Sequence, residues 1–131
     1  MAKTIQAVGA YSPRVVVART VQTREIAEYI AGRTSLNRGE IENVLREMNE
    51  AIVFFARQGL AVKLTGVGTF TPSVNLEGIF DVGLRLDTSI DAALNVTGMF
   101  TGEVANRENV GKTAADLKAQ WNTAHPQDLI P

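Results

Sequence analysis

Apolar residues recur at steps of three and four through the middle of the chain: Ile41, Val44, Leu45, Met48, Ala51, Ile52, Phe55 and Ala56. That spacing places them on one face of a helix. Asn37-Arg38-Gly39-Glu40 just ahead is an Asn-x-x-Glu capping box, in which the Asn side chain accepts from the amide three residues on and the Glu reaches back. Gly59 stands where the helix should stop, because glycine takes the left-handed cap conformation. Glu42 and Arg46 form an i,i+4 pair on the outer face. A shorter helix precedes this one, with Thr23 as N-cap, Glu25 in the first turn, and Ile26, Ala27, Ile30 and Ala31 as its buried stripe. Thr34-Ser35 ends it, and Leu36 packs back before the next cap. After Gly59 the period changes to two. Ala61-Val62-Lys63-Leu64 alternates like a strand, Gly66-Val67-Gly68 turns the chain, and Thr69-Phe70 starts the return.

The flanks are read in the same way. Val15-Val16-Val17 after Ser12-Pro13 is a short strand. Residues 71–110 look β-rich. Phe70 to Val74 runs to a turn near Asn75 to Gly78, and Ile79 to Asp87 resumes with Val82, Leu84 and Leu86 on one face. Leu94 to Phe100 is a third alternating segment. Thr113-Ala114-Ala115-Asp116 is a capping box for a last helix, with Ala114, Leu117 and Trp121 on one face. Trp121 is a core plug and His125 a surface residue. The pattern predicts an α+β protein in one domain spanning 1–131.

The stretch from Thr23 to Phe70 resembles the first half of the HU and integration host factor family of bacterial DNA-bending proteins. The resemblance is carried by Thr23, Glu25, Ile26, Ala31, Thr34, Leu36 and Asn37. It continues through a long amphipathic helix into Val62, Leu64, Gly66, Val67, Gly68, Thr69 and Phe70. It needs no gaps, and its most specific element is Gly-x-Gly-Thr-Phe. It implies a two-helix base, an antiparallel sheet with a β-arm, a short C-terminal helix, and an intertwined homodimer gripping DNA. On this basis the chain divides into an extension (1–22), an ordered leader or an added edge strand; the helix-turn-helix-hairpin core (23–70); a divergent β region (71–110); and a closing helix and tail (111–131). The family opens its closing helix with Phe-x-x-Gly-Lys. Either Phe100-Thr101-Gly102 or Gly111-Lys112 answers to this, the latter favoured by the helix signals after it.

Charge complicates the DNA reading. A protein that wraps DNA carries a basic stripe, whereas this chain has net charge −1 and a pI of about 5.8. Residues 1–70 hold nine Lys or Arg against six Asp or Glu. Residues 71–110 hold only Arg85 and Arg107 against Glu77, Asp81, Asp87, Asp91, Glu103 and Glu108. The family's arm is rich in Arg and Lys and has a proline at its tip that wedges between base pairs. Here the prolines are Pro13, Pro72, Pro126 and Pro131, none at a candidate tip.

The chemical inventory excludes most alternatives. There is no cysteine and one histidine, so no nucleophile–base pair is visible and no enzyme, cofactor or metal site is expected. Asp81, Asp87 and Asp91 do not have calcium-loop spacing and read as a solvated acidic face. Gly66-Val67-Gly68 is a turn, since no Gly-x-x-x-x-Gly-Lys is present. No membrane span or signal peptide is seen, and a cytoplasmic, nucleoid location is expected.

The resemblance then implies DNA contacts at Lys63, Gly66, Gly68, Arg85, Arg107 and Lys112. It implies a dimer core of Ile41, Val44, Leu45, Met48, Ile52, Phe54, Phe55 and Phe70. DNA and a second copy are the expected partners. The other reading is an HU-fold dimerisation module that has lost DNA binding and recruits a protein, or pairs with a more basic paralogue.

Overall fold

The computed structural model describes residues 3–131; Met1 and Ala2, which open the 1–22 extension, lie outside the described residues. The chain forms α1 (Thr4–Tyr11), β1 (Arg14–Val15), α2 (Thr23–Ala31), α3 (Arg38–Ala56), β2 (Val62–Leu64), β3 (Gly68–Val74), β4 (Phe80–Leu86), α4 (Thr88–Leu94), β5 (Val104–Ala105), a 3-10 turn (Arg107–Asn109) and α5 (Ala114–Ala124). It divides into two compact units: a central one, Thr20–Phe100, and a terminal one formed by residues 3–19 with Thr101–Pro131.

In the central unit α2 packs on α3, and α3 packs against β2 and β3. The α3 capping box forms in full: Glu40 N donates to Asn37 Oδ1 at 2.8 Å, and Asn37 N donates to Glu40 Oε1 at 3.2 Å. Gly59 takes the left-handed conformation past the helix end, at φ +76°. The cap of α2 is Gln22 rather than Thr23, a shift of one residue. The i,i+4 ion pair on α3 is Arg38–Glu42 at 3.7 Å rather than Glu42–Arg46, because Arg38 also reaches Glu28 on α2 at 3.5 Å and ties the two helices together.

Strands β2, β3 and β4 form an antiparallel sheet in that order. The register pairs Val62 with Phe70, Lys63 with Thr69 and Leu64 with Gly68. On the other side of β3 it pairs Gly68 with Leu86, Thr69 with Arg85, Phe70 with Leu84, Thr71 with Gly83, Pro72 with Val82, Ser73 with Asp81 and Val74 with Phe80. Because side chains alternate across a strand, one face carries only apolar residues and glycine. The other carries Lys63, Thr69, Thr71, Ser73, Asp81 and Arg85, with Gly83. Gly68 is buried where β4 crosses it. A Cβ there would lie 2.5 Å from the Arg85 carbonyl oxygen and 2.8 Å from Leu84 Cδ1, so only glycine lets the strands meet at this row.

Two expectations for residues 71–110 are corrected. Leu94–Phe100 is not a strand: the chain turns into α4, capped by Asp87, whose side chain accepts from Ser89 N at 2.9 Å, and then runs through turns that include Gly98 at φ +77°. Arg107 is not on the hairpin but in the 3-10 turn of the terminal unit.

In the terminal unit α1 packs on α5, and β1 pairs with β5. The strand read over Val15-Val16-Val17 is found at Arg14–Val15, and its partner is β5 rather than the β2–β3–β4 sheet. The helix before it, α1, shows no strong periodicity in sequence. Its C-terminal carbonyls, which no helix satisfies internally, are met by residues far along the chain. Asn106 Nδ2 donates to Ala10 O and Ser12 O, and Asn109 Nδ2 donates to Tyr11 O at 2.7 Å. Asn109 is 2% exposed and also exchanges hydrogen bonds with Gln120 of α5. Ala7 and Ile130 form a small core against which Trp121 packs. The Trp121 indole donates to Asp128 O at 2.8 Å and stacks on exposed His125 with ring centroids 3.9 Å apart. The α5 capping box is formed by Thr113 and Asp116 as the sequence indicates.

Two substitutions test this packing. Asn109→Leu strands the Tyr11 carbonyl and the Gln120 amide, and is expected to cost about 1–3 kcal/mol, read by urea denaturation, with α1 amides losing hydrogen-exchange protection first. Gly68→Ala forces β4 off β3 and is expected to cost about 1–3 kcal/mol through overpacking, read in the same way.

Candidate nucleic-acid interface

The polar face of the sheet brings together two of the residues singled out in the sequence. Lys63 and Arg85 both pair with Thr69, from β2 and β4 respectively, so the three form one row across the strands on the same face. At the usual strand spacing the Cα atoms of Lys63 and Arg85 are about 10 Å apart. Both are exposed, as are Thr71 and Ser73 further along β3. The face therefore offers two cations over a floor of hydroxyls, the donor set that contacts phosphate oxygens without reading bases.

Three of the other five cations of this unit, Arg24, Arg33 and Arg38, are committed elsewhere. Arg24 pairs with Glu28 at 3.4 Å, Arg38 with Glu28 and Glu42, and Arg33 donates to the Tyr29 hydroxyl at 2.8 Å while lying over its ring. Of the remaining residues singled out, Arg107 and Lys112 belong to the terminal unit, and the sheet face is built without them.

The two glycines serve the backbone. Gly66 sits at φ +85° in a turn closed by Val67 N donating to Leu64 O at 2.9 Å, the position that demands glycine in a type II turn. Its amide lies close enough to the Asp87 carboxylate to help lower that group's pKa. Gly68 is covered by β4. Neither glycine presents a free anion cradle.

Asp87 is the residue that sequence reasoning misplaced. Assigned to a solvated acidic face, it is the N-cap of α4 and the anchor of the β2–β3 turn. Its backbone N donates to Val67 O at 2.9 Å, and its carboxylate accepts from Ser89 and Gly66. Hydrogen bonds from Ser89 foremost, then from Gly66, with the nearby Lys63 charge, hold its pKa below the ordinary value. The signal was legible: an Asp before Thr88-Ser89 is an N-cap pattern. Asp81 stays on the polar face opposite Ser73, and no group of three or more potential metal ligands exists among the described residues.

The lowered pKa has a consequence for pH. A carboxylate with a depressed folded-state pKa stabilises the fold above its unfolded value and loses that contribution as pH falls through the folded one. Asp87→Asn is expected to lower thermal stability at pH 7, and the gap from the parent protein is expected to close as pH falls below the ordinary Asp value of 3.8. Melting curves between neutral and strongly acidic pH read this directly.

No curated protein matches the chain. The family model HU-HIG, described as an HU domain fused to wHTH, Ig, or glycine-rich motif, matches residues 3–83. The match takes in α1 and β1, so the 1–22 extension lies within what this family model covers, apart from its first two residues. It continues through α2, α3, β2 and β3 into β4. At family level an HU domain is a DNA-binding, nucleoid-type module outside the enzymes. With more than half of its length matched, and the helix pair and glycine-marked sheet in place, the chain belongs to the HU-HIG family.

Proposed function

We propose that the protein binds double-stranded DNA without base specificity, as a dimer, through the polar face of the β2–β3–β4 sheet. The observation that carries this is the in-register row Lys63–Thr69–Arg85 on a hydroxyl-bearing sheet face, in a chain of an HU family. Lys63 and Arg85 are the phosphate contacts; Gly66 and Gly68 shape the sheet that presents them. A bacterial, cytoplasmic and nucleoid-associated setting goes with this reading.

The dimer is supported by what one chain leaves uncovered. Of the expected dimer-core residues only Ile41 is buried, at 4% exposure. Leu45, Met48, Ile52 and Phe70 are half-buried, while Val44, Phe55 and Phe54, the last at 61%, are exposed. On the apolar face of the sheet Val74, Phe80, Val82, Leu84 and Leu86 are exposed as well. In the whole central unit Ala27 and Ile41 are the only hydrophobic residues that are buried. A folding unit of this size with so little core gains too little from burial to offset the entropy of ordering its chain. A second copy covering α3 and the sheet supplies the missing burial.

The competing reading, a dimerisation module without DNA binding, draws on the scarcity of uncommitted cations and on the acidic hairpin. The two separate in a salt titration. A dimer engaging phosphates with Lys63 and Arg85 of both copies makes four contacts, giving a log–log slope near −3.6 and about a 150-fold loss of affinity between 50 and 200 mM salt. Fluorescence anisotropy with a labelled duplex reads this, and Lys63→Gln is expected to reduce the slope by about 1.8. Absence of binding at low salt selects the protein-module reading.

For the dimer, sedimentation equilibrium at micromolar concentration is expected to give twice the chain mass. Phe54→Glu is expected to abolish that species together with cooperative unfolding.

A further inference from the structure

The hairpin formed by β3 and β4 is graded in charge along its length. At its base stand Lys63 and Arg85. From Phe70 to Leu84 there is no Lys or Arg, and the charged residues are Asp81, opposite Ser73, and Glu77 in the tip turn. Six residues separate Thr69 from Asn75, so the tip lies about 20 Å beyond the cationic row. That is further than the Debye length of about 8 Å at physiological salt, so the base cations do not mask the distal carboxylates.

The tip is a turn closed by hydrogen bonds. Asn75 Oδ1 accepts from Glu77 N at 3.0 Å and Ile79 N at 2.9 Å, Asn75 N donates to Ile79 O, and Gly78 takes φ +80°. Its apex side chain, Leu76, is fully exposed and next to Glu77.

A protein that bends DNA does so by giving the bent duplex more contacts than the straight one, because a stiff duplex resists bending. Arms that reach along the groove do this with cations against the flanking phosphates and an apolar wedge between base steps. Here the distal hairpin meets an approaching phosphate with carboxylates alone. The apolar apex has no cation beside it to hold the backbone around an opened step.

Resting on the DNA-binding reading above, we propose that the β3–β4 hairpin does not grip DNA: the duplex is held only on the basal Lys63–Thr69–Arg85 row, and it stays straight. The carboxylates of Asp81 and Glu77 confine the contact to that row, which limits the footprint and leaves flanking duplex free for other ligands.

The test uses a duplex of about 30 base pairs with a donor and an acceptor at its ends, saturated with the full chain at low salt while anisotropy reports occupancy. Anisotropy is expected to rise with no change in transfer efficiency. Leu76→Ser is expected to leave affinity within about twofold, because no wedge is lost. Glu77→Lys with Asp81→Lys adds up to four phosphate contacts in a dimer and is expected to steepen the salt slope by about 3 to 4. Increased transfer efficiency on binding of the parent protein, or a tenfold loss in Leu76→Ser, overturns the proposal. An unchanged slope in the double lysine variant overturns the role given to the two carboxylates. Absence of all binding at low salt instead overturns the DNA reading on which the proposal rests.

Discussion

Everything the central unit can do depends on the close approach of β3 and β4 at Gly68. A glycine there lets the Arg85 carbonyl and the Leu84 side chain sit where any Cβ would stand. Strand register has a period of two, so a slip of one residue would exchange the two faces of the sheet. The tight crossing at Gly68 disfavours that slip. With the register held, Leu84 and Leu86 join Phe70 on the apolar face, and Arg85 falls in line with Thr69 and Lys63 on the polar one. One steric constraint thus sorts the sheet into an apolar face and a polar face. It also gives a physical reason for the second glycine of Gly-x-Gly-Thr-Phe, one that has no connection with ligand binding.

What could be read from the sequence was whatever is decided locally. The long helix announces itself because its cap, its stripe and its stop all lie within a few residues of one another, and each does in the fold what its residue type suggests. The same holds for the Thr113–Asp116 cap of α5 and for the β2–β3 turn. What could not be read is decided at a distance. Helix α1 has glycine at position 9, a weak stripe and Lys3 at its N-cap, where the Lys3 amide donates to Gln6 Oε1 at 2.6 Å. It is held by Asn106 and Asn109, whose partners are more than 90 residues away in sequence, and no window scan joins those positions. The alternation of Leu94 to Phe100 misled because period two alone does not make a strand. Asp87 had already committed the chain to a helix, and Gly98 breaks the segment beyond that helix. On the site, the sequence singled out Lys63 and Arg85, and the sheet register brings them into one row. It could not separate them from Arg107 and Lys112, because which cations share a face depends on pairing between segments.

The two faces are coupled through what each must find outside the single chain. The apolar face and α3 leave Phe54, Phe80 and Leu84 in water, and the buried hydrophobic residues of the unit are Ala27 and Ile41. In the proposed dimer, association contributes to folding as well as to function, and DNA affinity depends on chain concentration. Two cations per chain bind a polyanion weakly. On the proposed reading, pairing doubles the row and turns a marginal contact into one with a measurable salt dependence.

The charge gradient then separates this sheet from one built to wrap its ligand. Moving positive charge from the arm to the base shortens the lever on which a protein can bend a duplex, because bending needs contacts far from the centre of the site. Here that distant position is held by Asp81, Glu77 and an apolar apex. The tip turn itself is well made, with Asn75 closing the loop through its side chain and Gly78 supplying the positive φ. A turn so closed fixes the backbone from which its carboxylate and its apolar apex project. On the proposed reading, a defined shape with the wrong charge for gripping DNA argues that the hairpin's contribution lies in its apolar face, which widens the surface a second copy can cover, while the task of holding the duplex stays with the row at its base.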